Sequence, residues 1–411
     1  MLTFHSLKVV EIHPEAEDAV GIAFEVPPEL RDEYRGLPGQ HVVVKTDIND
    51  VENRRTYSLV NSPGRWPLRI VARVHSAGHM SRYLAEQLNA GDYLDVLPPN
   101  GSFTPRRLYA GGMYVAFASG CGITPVLAVA QSLLEANETN RIILFYGNAS
   151  TGRAMCLEEL LGLKDRFLGR LSLHFVMSRE PQEVDLYNGR IDAERVKEFG
   201  RSLFAPGDVT EYFVCGPGNM IDEVSAALGG LGVEADRIHG EHFTLATTTG
   251  AGKVEAAAGG VAEESSAGIA GDARAEAALE SEVRARSAGG AGSSGLAQAA
   301  STAQATGAAP AKTALAADES EVTILMDGRR RTFTMRMNDE VVLDAAMRAG
   351  LELPFSCRAG VCSTCRTKVV KGEVEMAQNY ALEDWEVEQG YVLACQSCVK
   401  TPVLELDYDE K

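Results

Sequence analysis

Three cysteines, Cys357, Cys362 and Cys365, stand in the string PFSCRAGVCSTCRTKVV with spacing C-x4-C-x2-C. Cys395 follows after 29 intervening residues, and Cys398 lies just beyond it. Short spacings of this kind let three thiolates converge on one small iron–sulfur cluster. Ser356, Ala359, Gly360, Ser363 and Thr364 are small enough to let backbone amides approach the sulfurs. The competing chemistry is a zinc site, which would pair these spacings with Cys395 and Cys398. A disulfide framework would need an oxidising compartment.

A second set of residues lies far upstream. Arg55-Thr56-Tyr57-Ser58 is followed by Gly78-His79-Met80-Ser81. A tyrosine face can stack on a fused ring, an arginine can pair with a phosphate, and a serine hydroxyl can reach a ring nitrogen. Gly78 to Ser81 open a helix whose first amides and hydroxyl suit a pyrophosphate. Alone, the first motif is four residues of a strand; with the second at this distance it matches the flavin-binding pair of the ferredoxin-NADP reductase superfamily.

Further on, YVAFAS runs into Gly120-Cys121-Gly122-Ile123-Thr124-Pro125 and then a helix. A glycine turn there lets amides meet a phosphate, with Gly120, Gly122, Thr124 and Pro125 as the candidates, although a bare connection is the plainer reading. Cys215-Gly216-Pro217-Gly218 after the strand EYFV resembles the nicotinamide-side element of the same superfamily, which implies a positional rather than nucleophilic Cys215. The plainer alternative is a buried, inert thiol. Ser178-Arg179 follows a third strand, where NADP-using relatives contact the 2′-phosphate; a guanidinium fork suits that dianion, and an exposed surface arginine is the alternative. Glu241, His242 and Phe243 fall where the superfamily's chain end approaches the flavin, so Glu241 is expected to orient nicotinamide or flavin, unless it merely closes the domain.

These residues need elements to hold them. Up to residue 108 the sequence reads as short alternating strands, including Gln40–Lys45, Thr56–Val60, Leu68–Val74 and Tyr93–Leu97, which predicts an antiparallel β-barrel flavin domain. From 109 to 243, apolar strands at Tyr114–Ala118, Ile142–Tyr146, Leu171–Met177 and Tyr212–Cys215 alternate with helical stretches, predicting an α/β parallel-sheet nucleotide domain. Residues 244–318 turn to Ala, Gly, Ser and Thr with no aromatic residue. That composition predicts a flexible linker with an r.m.s. span on the order of 45–50 Å and a transient helix over Asp272–Ser287. A hairpin at Glu321–Met326 and Arg331–Met337, a helix at Val341–Ala349 and the cysteine loop follow in the last unit, 319–411.

The last unit resembles a plant-type 2Fe-2S ferredoxin domain, which implies a β-grasp (α+β) fold, Cys395 as the fourth ligand beside Cys357, Cys362 and Cys365, and Cys398 as a bystander. Its acidic run Glu383, Asp384, Glu386, Glu388 reads as a solvated helix face, with docking of a basic partner as the alternative. The order of the three units resembles the reductase components of multicomponent oxygenases. FHSL, YGN and EVEMAQNYALEDWEVEQGYVLACQS bring the chain closest to the phenylacetyl-CoA epoxidase reductase family, apart from a longer linker.

The resemblance implies FAD, NADPH or NADH, and one 2Fe-2S cluster, with a di-iron oxygenase as electron acceptor in aerobic phenylacetate breakdown. The alternatives are a reductase for a steroid or aromatic-ring hydroxylase, or a subunit whose main work is assembly or redox sensing. With 57 acidic against 39 basic residues the net charge is −18, which argues against nucleic acid and anionic membranes as partners. The amino terminus shows no signal-like pattern and no apolar run long enough to span a bilayer, so a cytoplasmic protein is expected.

Overall fold

The computed structural model describes residues 3–76, 78–108, 111–242, 318–382 and 384–410. The linker expectation, its helix over Asp272–Ser287, and Phe243 lie outside these residues.

Strands β1 (His5–Ala16), β2 (Ala19–Glu25), β3 (His41–Ile48), β4 (Val51–Ser58), β5 (Leu68–Arg73) and β6 (Tyr93–Asn100) form one antiparallel sheet, with helix α1 (His79–Glu86) preceding β6. The strand order is β4-β3-β6-β1-β2-β5, and a bridge between Leu59 and Ile70 joins the outer strands, so the sheet curls into a barrel. Its alternating apolar residues point inward, and Leu7, Ile22, Phe24, Val42 and Ile70 are fully buried there.

The next sheet is parallel. It comprises β7 (Met113–Ser119), β8 (Arg141–Asn148), β9 (Leu171–Met177), β10 (Val209–Gly216) and β11 (Ile238–His242), ordered β11-β10-β7-β8-β9. Helices α2 (Ile123–Ala136), α3 (Leu157–Arg166), α4 (Ala193–Ser202) and α5 (Gly218–Gly230) supply the connections. Tyr114 to Ala118 are all buried, as a parallel strand covered on both faces requires. The rings of Phe117, Phe145 and Phe199 stack at 5.0 and 4.1 Å, tying the sheet to α4.

The carboxy-terminal unit holds β12 (Glu319–Met326), β13 (Arg329–Arg336), α6 (Val342–Arg348), β14 (Arg366–Lys371), β15 (Val374–Met376), α7 (Asp384–Glu388), β16 (Tyr391–Leu393), β17 (Ser397–Val399) and β18 (Val403–Asp407). The main sheet runs β13-β12-β18-β14-β16, with β12 and β18 parallel, while β15 and β17 pair separately. Val322, Ile324, Leu343, Leu404 and Leu406 fill its core beneath α6. The described residues before and after the 244–318 segment belong to one body.

One expectation needs correction. Glu386 is not on a solvated face: it is 4% exposed and pairs with Arg366 at 3.0 Å. Arg366 in turn lies over the Tyr391 ring at 3.8 Å, so the pair pins α7 to the sheet. Glu388 is exposed as expected, and Glu383 lies outside the described residues. Removing one partner of such a pair strands the other's charge. Because Arg366 is partly solvated, Glu386→Ala should cost about 1–3 kcal/mol rather than the full buried-pair figure. The check is the urea midpoint followed by loss of cluster absorbance; an unchanged midpoint would show the pair to be energetically neutral.

Candidate functional site

The cysteine loop takes its shape from backbone that few side chains tolerate. Arg358, Gly360 and Ser363 have φ of 55°, 74° and 48°, and a Cβ on Gly360 would stand 2.9 Å from the Gln378 carbonyl oxygen. The winding turns amides onto sulfur: Ala359 N–H donates to Cys357 Sγ at 3.4 Å, and Cys357 N–H donates to Cys362 Sγ at 3.5 Å. Gln396 ties in the distant cysteine, donating to Arg358 O at 2.9 Å and lying 3.5 Å from Cys395 Sγ.

The four thiols are mutual neighbours, Cys357 touching Cys362 and Cys395, and Cys395 touching Cys365. The hydrogen bond from Cys357 and burial push the Cys362 thiol well up. Cys395, though its contact with Cys357 lowers it, is pushed up to about 12 by Cys365 and burial. A crowd of reluctant thiols is stable as thiolates only around concentrated positive charge, which cluster iron supplies. The donor set therefore fits a four-thiolate iron–sulfur cluster. Cys398 stands apart on β17, opposite Glu375 of β15, with Lys400 and Glu375 as its charged neighbours.

On the barrel, β4 carries Arg55, Tyr57 and Ser58. Burial pushes the Tyr57 hydroxyl far up, and the Arg55 guanidinium donates to the Arg54 carbonyl at 2.7 Å. Ser58 is 2% exposed, and its buried Oγ has no hydrogen-bond partner among the described residues. A buried orphan hydroxyl fits a ligand that presents a polar edge to it, as a flavin ring does.

At the start of α1, Ser81 Oγ accepts from His75 N–H and donates to Gly78 O, both at 3.2 Å. That hydroxyl is thus engaged within the turn, so the helix start offers amides rather than the expected amides plus hydroxyl. Met80 is buried and His79 exposed beside it. A Cβ on Gly78 would come within 2.5 Å of Ser81 Oγ, so a side chain there would push that hydroxyl out of its place in the turn.

On the parallel sheet, the candidates gather at the carboxyl ends of β7 and β10, where open α/β sheets take their ligands. Gly120 turns the chain at φ 56°, and Thr124 Oγ1 donates to Cys121 O at 2.9 Å just ahead of Pro125. Gly122 packs so tightly on β10 that a Cβ would lie 2.0 Å from the Cys215 carbonyl oxygen. Cys215 is fully buried, and burial, reinforced by the negative charge of Glu241, pushes its thiol well up, consistent with a positional role. Gly216 continues that strand; Pro217 is the N-cap of α5 and Gly218 its first residue.

Glu241 sits on β11 in register with Cys215. Ser178 and Arg179 follow β9 and are exposed, well along the sheet from Cys215. The adjacent Glu180 carboxylate is turned to Thr151, accepting from its N–H and Oγ1 at 2.7 Å each.

Several contacts here have no signal in sequence spacing. Ser356 Oγ and Thr56 Oγ1 are 2.7 Å apart, the Arg54 guanidinium lies 4.4 Å over the Phe355 ring, and the His242 and Tyr380 rings are 4.9 Å apart. The first two seat the cysteine loop on β4 of the barrel, and the third sets Tyr380 against the end of β11. His41, on β3, is also buried against this junction.

Three family models cover most of this architecture: an oxidoreductase FAD-binding domain over residues 6–104, an oxidoreductase NAD-binding domain over 117–226, and a 2Fe-2S iron-sulfur cluster binding domain over 324–400. One subunit of the 1,2-phenylacetyl-CoA epoxidase of Escherichia coli K12 is 33% identical over 100% of this chain and 99% of its own length. The ferredoxin reductase component of 3-ketosteroid-9-alpha-monooxygenase from Rhodococcus rhodochrous is 27% identical over 98% and 96%. Phthalate dioxygenase reductase shares the fold, with a TM-score of 0.51 at 19% identity and 98% coverage of both chains.

A flavin domain, a pyridine-nucleotide domain and a 2Fe-2S domain in one chain define an NAD(P)H-dependent oxidoreductase. Within that class the chain belongs to the family of oxygenase reductase components that includes this 1,2-phenylacetyl-CoA epoxidase protein. Among the described residues, no helix is long and apolar enough to cross a membrane.

Proposed function

We propose that the chain is the reductase of a phenylacetyl-CoA 1,2-epoxidase, drawing electrons from NADPH and delivering them to a di-iron oxygenase. When bound, the flavin accepts two electrons as hydride and the cluster passes them on singly, which matches a pyridine nucleotide to a one-electron acceptor. Tyr57 stacks on the flavin, Ser58 meets its ring edge, and Arg55 with the amides of Gly78 to Ser81 holds its phosphates. Gly120, Gly122, Thr124 and Pro125 with Cys215, Gly216, Pro217 and Gly218 shape the nicotinamide edge, with Glu241 beside it. Cys357, Cys362, Cys365 and Cys395 hold the cluster.

The observation that carries this reading is the seat of the cysteine loop: Ser356 bonded to Thr56, two residues from the orphan hydroxyl of Ser58. That is the arrangement an enzyme needs to move electrons from flavin to cluster. The test has two parts. Anaerobic NADPH should bleach both flavin and cluster spectra in protein containing about two irons and one flavin; zinc in place of iron would overturn the cluster assignment. A pull-down from cells grown on phenylacetate should then return a di-iron oxygenase that epoxidises phenylacetyl-CoA when reconstituted. A ketosteroid or ring-hydroxylating oxygenase in its place would favour the second reading, which the similarity to the 3-ketosteroid-9-alpha-monooxygenase component supports.

NADPH should be preferred to NADH. Glu180 is occupied with Thr151, and no acid among the described residues is paired with Arg179, whose fork stays available for a 2′-phosphate. Arg179→Ala should lose on the order of 1.5–3 kcal/mol, roughly a ten- to hundred-fold fall in kcat/KM for NADPH, with NADH little changed. Equal use of both nucleotides by the parent protein would make Ser178 and Arg179 ordinary surface.

A further inference from the structure

Three distant segments of the chain meet at one side chain. His41 is 2% exposed, on β3 directly opposite Ser58 of β4. Its Nδ1 lies 3.4 Å from Glu241 Oε1, on the last strand of the parallel sheet. The thiol and backbone of Cys362, in the cysteine loop, lie beside the same ring. Room for the imidazole comes from Gly101, at φ 120°, where a Cβ would stand 2.9 Å from Nδ1.

A polar ring this deeply buried costs free energy unless its partners are held against it. Its surroundings are also unfinished: among the described residues, Glu241 Oε2 and Ser58 Oγ are buried without hydrogen-bond partners. An ordinary core position would be cheaper to fill with an apolar side chain. The neighbouring contacts act in the same direction, since Thr56 with Ser356 and Arg54 with Phe355 press the same loop onto β4, the strand paired with that of His41.

We propose that His41 is a positioning residue: held by Glu241, its ring fixes the Cys362 side of the cysteine loop against the flavin strand, in the arrangement that loads the cluster. This rests on the electron-transfer reading above. The step it serves is balanced: the reduced flavin is oxidised by one electron and the oxidised cluster is reduced by that electron, with no bond made or broken between them. His41 neither donates nor accepts the electron. It sets how much of the time the two partners stand close enough to exchange it.

The test uses the full-length holoprotein and anaerobic stopped flow, with flavin bleaching by NADPH as the internal reference for cluster bleaching. His41→Phe fills the ring's volume without a nitrogen. It should lower the ratio of cluster to flavin reduction rate at least about tenfold, as expected when the loading arrangement becomes a minority state. His41→Asn keeps a donor near the position of Nδ1 and should stay within about threefold of the parent ratio. Deuterium uptake by residues 354–365 in the oxidised protein should rise in the phenylalanine variant and not in the asparagine variant, a readout independent of turnover.

Should the phenylalanine variant fail to fold, His41→Gln, which moves the donor away from Glu241, takes its place with the same expectation. A phenylalanine variant with parent-like ratio and uptake overturns the proposal, and so does an asparagine variant as impaired as phenylalanine. If the parent itself reduces flavin but never its cluster, the electron-transfer reading fails instead, so the two failures are distinguishable.

Discussion

Cys357→Ser should leave NADPH-to-ferricyanide transfer within about twofold of the parent while reducing electron delivery to the oxygenase to background. Cys357 touches both Cys362 and Cys395, so its loss opens the thiol set at its centre. Hydride uptake needs only the flavin and nucleotide residues, and ferricyanide can drain a reduced flavin directly. The measurement is iron content, ferricyanide reduction and turnover of the partner oxygenase on one preparation. Equal loss of both activities would place the cluster before the flavin or make it a structural element, and the proposed electron order would have to be abandoned.

Gly122→Ala should reduce flavin bleaching by NADPH at least about a hundredfold. Gly122 has ordinary helical dihedrals, φ −60° and ψ −10°, so the added methyl is not refused by the backbone at its own position. It is refused by the neighbour: its Cβ would lie 2.0 Å from the Cys215 carbonyl oxygen and 2.9 Å from the Gly216 nitrogen. Those are backbone atoms of a central strand, and they cannot swing aside as a side chain would. The turn after β7 must therefore retreat from the end of β10, and displacement on the order of 1 Å at a reacting site can cost a factor near a hundred. Overpacking should also lower stability by about 1–3 kcal/mol. Flavin content and dithionite-driven electron delivery serve as controls. Bleaching at the parent rate would show that the two strand ends have slack, and that this junction does not shape the nicotinamide site.

Much of this was readable before any coordinates. The cysteine spacing announced a cluster because its chemistry is local: Cys357, Cys362 and Cys365 need only a tight loop, and small residues between them permit one. The parallel sheet was equally open to view, since Tyr114–Ala118 and Tyr212–Cys215 are apolar runs that strands buried on both faces require. The role of Gly122 was half visible. Its place after a strand suggested a phosphate turn, whereas the demand for glycine comes from β10, nearly a hundred residues later. Glu386 misled for a similar reason. Among Glu383, Asp384 and Glu388 it looks like one more solvated acid, whereas it is paired with Arg366, delivered by β14. His41 was silent because nothing near it in sequence is unusual; its surroundings are assembled from β11 and the cysteine loop.

The seat of the cysteine loop on β4 also sets a traffic rule. A hydride brings two electrons, and a 2Fe-2S cluster carries one. If the oxygenase collects through the loop that Thr56 and Arg54 hold, collection and loading exclude one another, and every NADPH consumed obliges the loop to leave its seat twice. Departure then becomes the toll gate of the whole system: once oxygenase is plentiful, adding more of it cannot raise the flow, whereas loosening the seat can, until loading itself becomes scarce.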